Sequence, residues 1–228
     1  AGKIVKPVLP KTLQKKIPTA QKLVMNWPQS NHKRKMLFLD GCVQPVLAPN
    51  INISTAQLLN RLEITLIPTS QVNCCGAVTY HLNKQTESLT FIKQNIDAWW
   101  PLIEKGAEAI VITASGCGTM VKEYGHLLAG DPVYAAKAKL ISKMTKDLCE
   151  VFTDELTTLK AEVLEPIKRK QNDECRVAFH APCSLQHGQQ IKGIVENLLT
   201  HAGYTLTTIE DSHLCCGSAG TYSLLQPD

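Results

Sequence analysis

The chain has 228 residues, 44% of them hydrophobic and 19% charged, with a net charge of +4. This is an ordinary globular composition with room for one large core or two of roughly 100 residues each. Its nine cysteines are odd in number, the format is not a small disulfide-rich one, and no hydrophobic signal segment stands near Ala1, so the expected compartment is reducing, the cytosol. The longest apolar stretch, around Ala109 to Ala114, is far too short to span a bilayer, which excludes a transmembrane role.

Residues 1–35 carry nine basic side chains (Lys3, Lys6, Lys11, Lys15, Lys16, Lys22, Lys33, Arg34 and Lys35) and no acid, leaving 15 basic and 20 acidic side chains, a net −5, in the remainder. With Pro7, Pro10, Pro18 and Pro28 the segment reads as a linker or N-terminal extension, either a solvated connector or a surface for a partner or anionic lipid. No aromatics are interleaved beyond Trp27, so nucleic-acid binding is not expected.

From Met36 onward strand and helix signals alternate. Met36 to Asp40 predicts a strand ending at Gly41-Cys42, Ile51 to Leu62 a helix, and Ile64 to Ile67 a strand ending before Cys74-Cys75. Glu87 to Lys105 predicts a helix with Leu89, Ile92, Ile96, Trp99 or Trp100 and Ile103 on one face, kinked or split at Pro101. Ala109 to Thr113 predicts a strand that runs into Ser115-Gly116-Cys117. Residues 131–170 hold apolar positions at helical spacing (Ala135, Leu140, Met144, Leu148, Phe152, Leu156) and read as one or two connecting helices. A strand over Arg176 to His180 then leads to Ala181-Pro182-Cys183, followed by a helix over Ile191 to His201, a strand over Tyr204 to Ile209, and Leu214-Cys215-Cys216-Gly217.

The cysteines repeat. Cys42 is followed by 31 residues and Cys74-Cys75-Gly76; Cys183 is followed by 31 residues and Cys215-Cys216-Gly217, every member displaced by 141 positions. A vicinal pair closes as a disulfide only with strain, so two such pairs at a fixed distance from a third cysteine point to thiolate ligands and a two-site metal protein. The fold class is α/β, with two tandem similar domains, each a small open mostly parallel sheet flanked by helices. In such a sheet the loops at the strand carboxyl ends converge on one edge, which would bring Cys42, Cys74, Cys75 and Cys117 together. The divisions are a basic extension over 1–35, a first cysteine-rich domain over 36–130, a helical connection over 131–170 and a second cysteine-rich domain over 171–228. The second is truncated, since a counterpart of Cys117 would fall at 258. Cys149 and Cys175 have no counterparts and read as ordinary thiols.

The repeated pattern resembles the cysteine-rich CCG domain of heterodisulfide reductase, anaerobic glycerol-3-phosphate dehydrogenase and lactate-utilisation proteins. LDGCVQPVLAPNIN at 39–52, CCGAVTYHLN at 74–83, the stretch 95–128, HAPCSLQHGQQI at 180–191 and LCCGSAGTYSLLQP at 214–227 are similar to the glycolate oxidase iron-sulfur subunits of that family. The resemblance implies electron transfer: FAD-binding subunits oxidise glycolate to glyoxylate, and the iron-sulfur subunit carries the electrons toward a membrane quinone. It implies cytoplasmic placement with peripheral contact to the inner membrane, and a chain lacking the family's ferredoxin-like amino-terminal domain and its carboxyl end.

The heterodisulfide reductase form of the domain holds its noncubane cluster with five cysteines, ending in C-x-x-C; here Ala114 stands three before Cys117. Four thiolates remain in the first half, the number a [4Fe-4S] cluster needs, although adjacent cysteines reach two irons of one cube only through an adapted loop. Three readings follow. An electron-transfer subunit would hold clusters on Cys42, Cys74, Cys75 and Cys117 and on Cys183, Cys215 and Cys216. Cluster-based disulfide chemistry is disfavoured by Ala114. A structural module that tethers subunits would bind zinc or nothing, though zinc ligands favour close C-x2-C pairs. Gly41, Gly76, Gly116, Gly118, Gly217 and Gly220 allow close main-chain approach to cluster sulfurs, or are plain turns. His81, His126, His180, His187 and His213 neighbour the cysteines; each reads first as an ordinary histidine, with His187 and His81 the best candidates for more. Lys122, Glu123 and Tyr124 are noted only because the resemblance includes them.

Overall fold

A computed structural model describes residues 26–69, 72, 74–156, 175–215 and 217. In chain order the first half comprises β1 (Arg34–Phe38), α1 (Gln44–Leu47), α2 (Pro49–Arg61), β2 (Ile64–Pro68), α3 (Ala77–His81), α4 (Gln85–Glu104), β3 (Ile110–Ile112), α5 (Ser115–Lys122), α6 (Tyr124–Leu127), α7 (Ala135–Met144), β4 (Thr145–Asp147) and α8 (Leu148–Leu156). All four strands are parallel, in the order β2-β1-β3-β4. The chain steps from β1 outward to β2, then returns to the other side of β1 for β3. The sheet's topological switch point therefore lies between β1 and β3, where such folds open a crevice beyond the strand carboxyl ends.

Alternation along the central strands explains why they are buried on both faces. Met36 and Phe38 join Ala56, Leu59, Ile64 and Val111 on one side, under α2 and α8. Leu37 and Leu39 join Ile92, Ile96, Trp99, Ile110, Ile112 and Tyr124 on the other, under α4 to α7. Helix α4 runs unbroken through Pro101; the proline sits in its final turn, where one missing N–H ends little.

Two expectations change. The basic extension lies mostly outside the described residues, but its end is part of the first sheet: Trp27 packs on Phe38 with ring centroids 5.9 Å apart, and Arg34 begins β1 and pairs with Glu108 and Glu155, each at 2.8 Å. The connection over 131–170 contains a strand, β4, whose Thr145 and Asp147 are buried while Lys146 points outward. Three polar residues between two apolar helical stripes conceal a strand from periodicity.

The second half is slighter among the described residues. β5 (Arg176–Val177) and β6 (Thr205–Leu206) pair in parallel, with a π-helical turn over Ser184–Gly188 and α9 (Ile194–His201) between them. Its core continues into the first half through Cys149 of α8, which packs with Leu185 and Ile191. No helix among the described residues is long and apolar enough to cross a membrane.

Candidate metal centre

The three sheet loops expected to converge do so. Cys42 follows β1, Cys74 and Cys75 follow β2, and Cys117 lies in the first turn of α5, which follows β3. Together they line one cavity of about 400 Å³, with Leu39, Val43, Leu47, Val78 and Ile112 supplying apolar wall. The four thiols form a continuous run of contacts: Cys42 meets Cys74, Cys74 meets Cys75, and Cys75 meets Cys117.

The acidities follow that order. Cys117 is held below the ordinary thiol range because Cys75 donates to it. Donation to Cys117 in turn pushes Cys75 up to about 12, and donation to Cys75 raises Cys74. Burial, then the neighbouring Cys74, raises Cys42. Four crowded thiols thus resist ionising together unless a cationic core compensates them, since like charges at contact disfavour one another and a bound cation inverts that balance. The donor set fits a soft, thiolate-bound metal group on that ground. Among the described residues no three His, Cys, Asp or Glu side chains gather as they would around a single bound ion.

Buried polar side chains fix the loops. Asn52 of α2, only 3% exposed, donates to the Asp40 carbonyl at 3.1 Å and the Asp40 carboxylate, while Gln44 donates to both Asn52 and Thr113, joining the Cys42 loop to the Cys117 loop. Asn95 of α4 donates to the Cys74 carbonyl at 2.8 Å and to the Tyr124 hydroxyl at 3.0 Å; Tyr124 donates to the Cys75 carbonyl at 2.8 Å, and Ser88 to the Gly76 carbonyl at 3.0 Å. Gly76 has φ +91°, and a Cβ there would stand 2.8 Å from Ser88 Oγ. None of these donors stands out as a motif. The available signal was polar residues on an apolar stripe: Ser88 and Asn95 sit seven apart on either side of Ile92, so they share the buried face of α4.

In the second half Cys183 caps the π-helical turn and Cys215 is exposed, while Cys216 lies outside the described residues. The two loops are clasped together: Gln186 donates to the Ser212 carbonyl at 3.2 Å, His187 to that of His213 at 3.2 Å, and His180 to that of Leu214 at 3.1 Å. The halves meet beside the cysteines, where Ser115 and Ser184 hydroxyls lie 2.7 Å apart and Gln189 donates to the Ser115 carbonyl at 3.0 Å. No histidine lines the first cavity; the rings of His180 and His187 donate to backbone carbonyls, and His81 is exposed beside Tyr80. Lys122 pairs with Glu150 at 2.6 Å, Glu123 is exposed, and Tyr124 alone of that trio reaches a cysteine loop. Cys149 and Cys175 are buried and do not line the cavity.

A parallel α/β sheet with four thiols at its switch point, and a second cysteine pair of loops clasped alongside, defines a cysteine-rich metal-binding class of domain. The chain belongs to the CCG cysteine-rich domain family, whose model matches residues 36–122 and 177–227. It is 48% identical over 227 residues to the glycolate oxidase iron-sulfur subunit of Escherichia coli (strain K12), covering 100% of this chain and 54% of that protein. It is 27% identical over 195 residues to a probable glycolate oxidase iron-sulfur subunit of Bacillus subtilis (strain 168), covering 85% of this chain and 42% of that protein. Lactate utilization protein A of Anoxybacillus flavithermus is 28% identical over 184 residues, or 80% of this chain and 72% of that protein. The chain spans about half the length of the two glycolate oxidase relatives.

Proposed function

We propose that this chain is the cluster-bearing part of an electron-transfer subunit in a glycolate-oxidising complex, passing electrons from FAD-binding subunits toward a quinone. Cys42, Cys74, Cys75 and Cys117 are the ligands of an iron-sulfur cluster of the [4Fe-4S] kind, and Cys183, Cys215 and Cys216 form a second thiol set. The observation that carries the reading is the single cavity lined by all four thiols at the sheet switch point. The names of the relatives, glycolate oxidase iron-sulfur subunits, support the proposed substrate and cluster.

When bound, a cluster supplies a one-electron carrier whose potential depends on its net charge, hydrogen bonds and exposure. The chain's own residues hold the thiols along the wall of a largely apolar cavity and bring an amide donor to one of them, the Gly76 N–H 3.4 Å from Cys74 Sγ. Such donors offset thiolate charge and stabilise the reduced state. The apolar rim, with Val43 54% and Leu47 42% exposed, limits water at the site and gives a docking partner a dry contact.

The test is the iron, zinc and acid-labile sulfide content of anaerobically purified protein, with EPR after dithionite reduction. About four irons per site with matching sulfide, and a reduced-state signal, support the reading. Zinc without sulfide, or no metal after anaerobic reconstitution, replaces it with a structural subunit-tethering module.

A further inference from the structure

Adjacent side chains on an extended backbone point to opposite sides, so two neighbouring cysteines reach one cavity only if the intervening peptides are held in a particular orientation. Three successive carbonyls around Cys74-Cys75-Gly76 are each taken by a different buried side chain: Asn95 at 2.8 Å, Tyr124 at 2.8 Å and Ser88 at 3.0 Å. Asn95 and Tyr124 are themselves bonded at 3.0 Å, and both are almost fully buried, at 1% and 0% exposure. With the carbonyls drawn into the core, the amides that follow turn the other way. The Gly76 N–H faces Cys74 Sγ at 3.4 Å.

We infer that Asn95 and Tyr124 are positioning residues that fix the two cysteine peptides, so that Cys74 and Cys75 both face the cavity and the Gly76 amide is aimed at the Cys74 sulfur. The inference deepens the cluster reading and rests on it. A buried carbonyl left without its partner is costly, so the pair makes one orientation of the vicinal cysteines strongly preferred before any metal arrives. Ser88 extends the same clamp by one residue, and the positive φ at Gly76 gives the turn that lets three carbonyls face one way.

The test has two arms on the full chain. In the reduced, metal-free protein, native-state alkylation by iodoacetamide is followed residue by residue by mass spectrometry for wild type, Tyr124→Phe, Asn95→Ala and a control, Ile64→Val, which trims the core on the opposite face of the sheet. Labelling of Cys74 and Cys75 is expected to rise roughly tenfold in both clamp variants, with Cys149 unchanged and the control like wild type. In anaerobically reconstituted protein, the clamp variants are expected to shift the reduced-state EPR g values and the midpoint potential, since the Gly76 amide aimed at the Cys74 sulfur moves; Ile64→Val is expected to shift neither. Labelling, g values and potential all matching wild type overturn the inference. So does a rise at every cysteine together, which is global loosening. Should one clamp variant fail to fold, the other removes the opposite partner of the same bond and gives the same reading. If wild type takes up no cluster, the proposed function fails while the alkylation arm still decides the positioning role.

Discussion

In the first half of the chain, the carbonyls of Cys74, Cys75 and Gly76 are held from behind by side chains of the buried core. In the second, the carbonyls of Ser212, His213 and Leu214, just ahead of Cys215, are held from the side by the segment that follows Cys183 and by His180. One further pair of bonds falls at equivalent positions. Asp40 and Ala181, each two residues before its cysteine, both give their carbonyls to a buried amide, yet Asn52 comes from a helix and Gln186 from the π-helical turn. The cysteine spacing brings loops together in both halves; whichever element lies behind decides how firmly. Behind Cys75 stand four strands and α4, and the residue is 2% exposed; Cys215 is exposed.

The largest effects break this comparison at the thiols. Cys75→Ser is expected to remove nearly all iron from the first site and its reduced EPR signal, whereas Cys215→Ser leaves that signal intact. Iron analysis and EPR on the two variants check this, and equal losses would mean the sites are one. The next effect uses matched glycines. Gly76→Ala must place a Cβ against the Ser88 hydroxyl at 2.8 Å and the Ser88 carbonyl at 3.2 Å, at φ +91°. It should cost about 2–4 kcal/mol in urea unfolding of the metal-free protein, the left-handed penalty plus a clash in a packed core. Gly217→Ala, at φ +77° with no atom of the described residues within 4 Å, is expected to show the conformational penalty, about 1–2 kcal/mol.

Much of this was legible in the sequence. Cys42, Cys74, Cys75 and Cys117 each follow a strand because a short apolar run precedes them, and parallel topology alone then gathers the loops. What could not be read is what holds them. Asn52, Ser88 and Asn95 are ordinary polar residues whose meaning depends on which helical face is buried, and Tyr124 sits within an apolar cluster where an aromatic reads as core. β4 was hidden for a related reason: Thr145, Lys146 and Asp147 gain a strand conformation by pairing with Ile110 to Ile112, a tertiary effect that overrides local pattern.

A smaller effect sharpens the seam between the halves. Burial, then the Asp147 carboxylate and the nearby Glu150, raise the Cys149 thiol well above its ordinary value. Below about pH 8.5 the thiol is protonated in both folded and unfolded chains and its contribution is complete. Above that, the unfolded chain releases the proton while the folded one retains it, so stability falls as pH rises. Thermal unfolding of the metal-free protein between pH 8 and 10 should decline less steeply for Cys149→Ala than for wild type. Parallel curves would show that Cys149 does not titrate on unfolding in this range.

The smallest expected effect distinguishes a clasp from a ligand. His187 is exposed, and its Nε2 donates to the His213 carbonyl at 3.2 Å. An exposed hydrogen bond of this kind can be replaced by water, so His187→Ala should cost no more than about 0.5 kcal/mol. Its mark should be local: faster amide hydrogen exchange across residues 212–217, with the metal content of both sites unchanged. Gln186→Ala provides the contrast, because Gln186 is 7% exposed and serves the carbonyls of both Ala181 and Ser212. Leaving two such acceptors unpartnered costs about 1–3 kcal/mol and should loosen both loops together. If His187→Ala instead depletes metal from the second thiol set while exchange in the loop stays slow, the ring is bound to the metal and the hydrogen bond belongs to the metal-free protein alone.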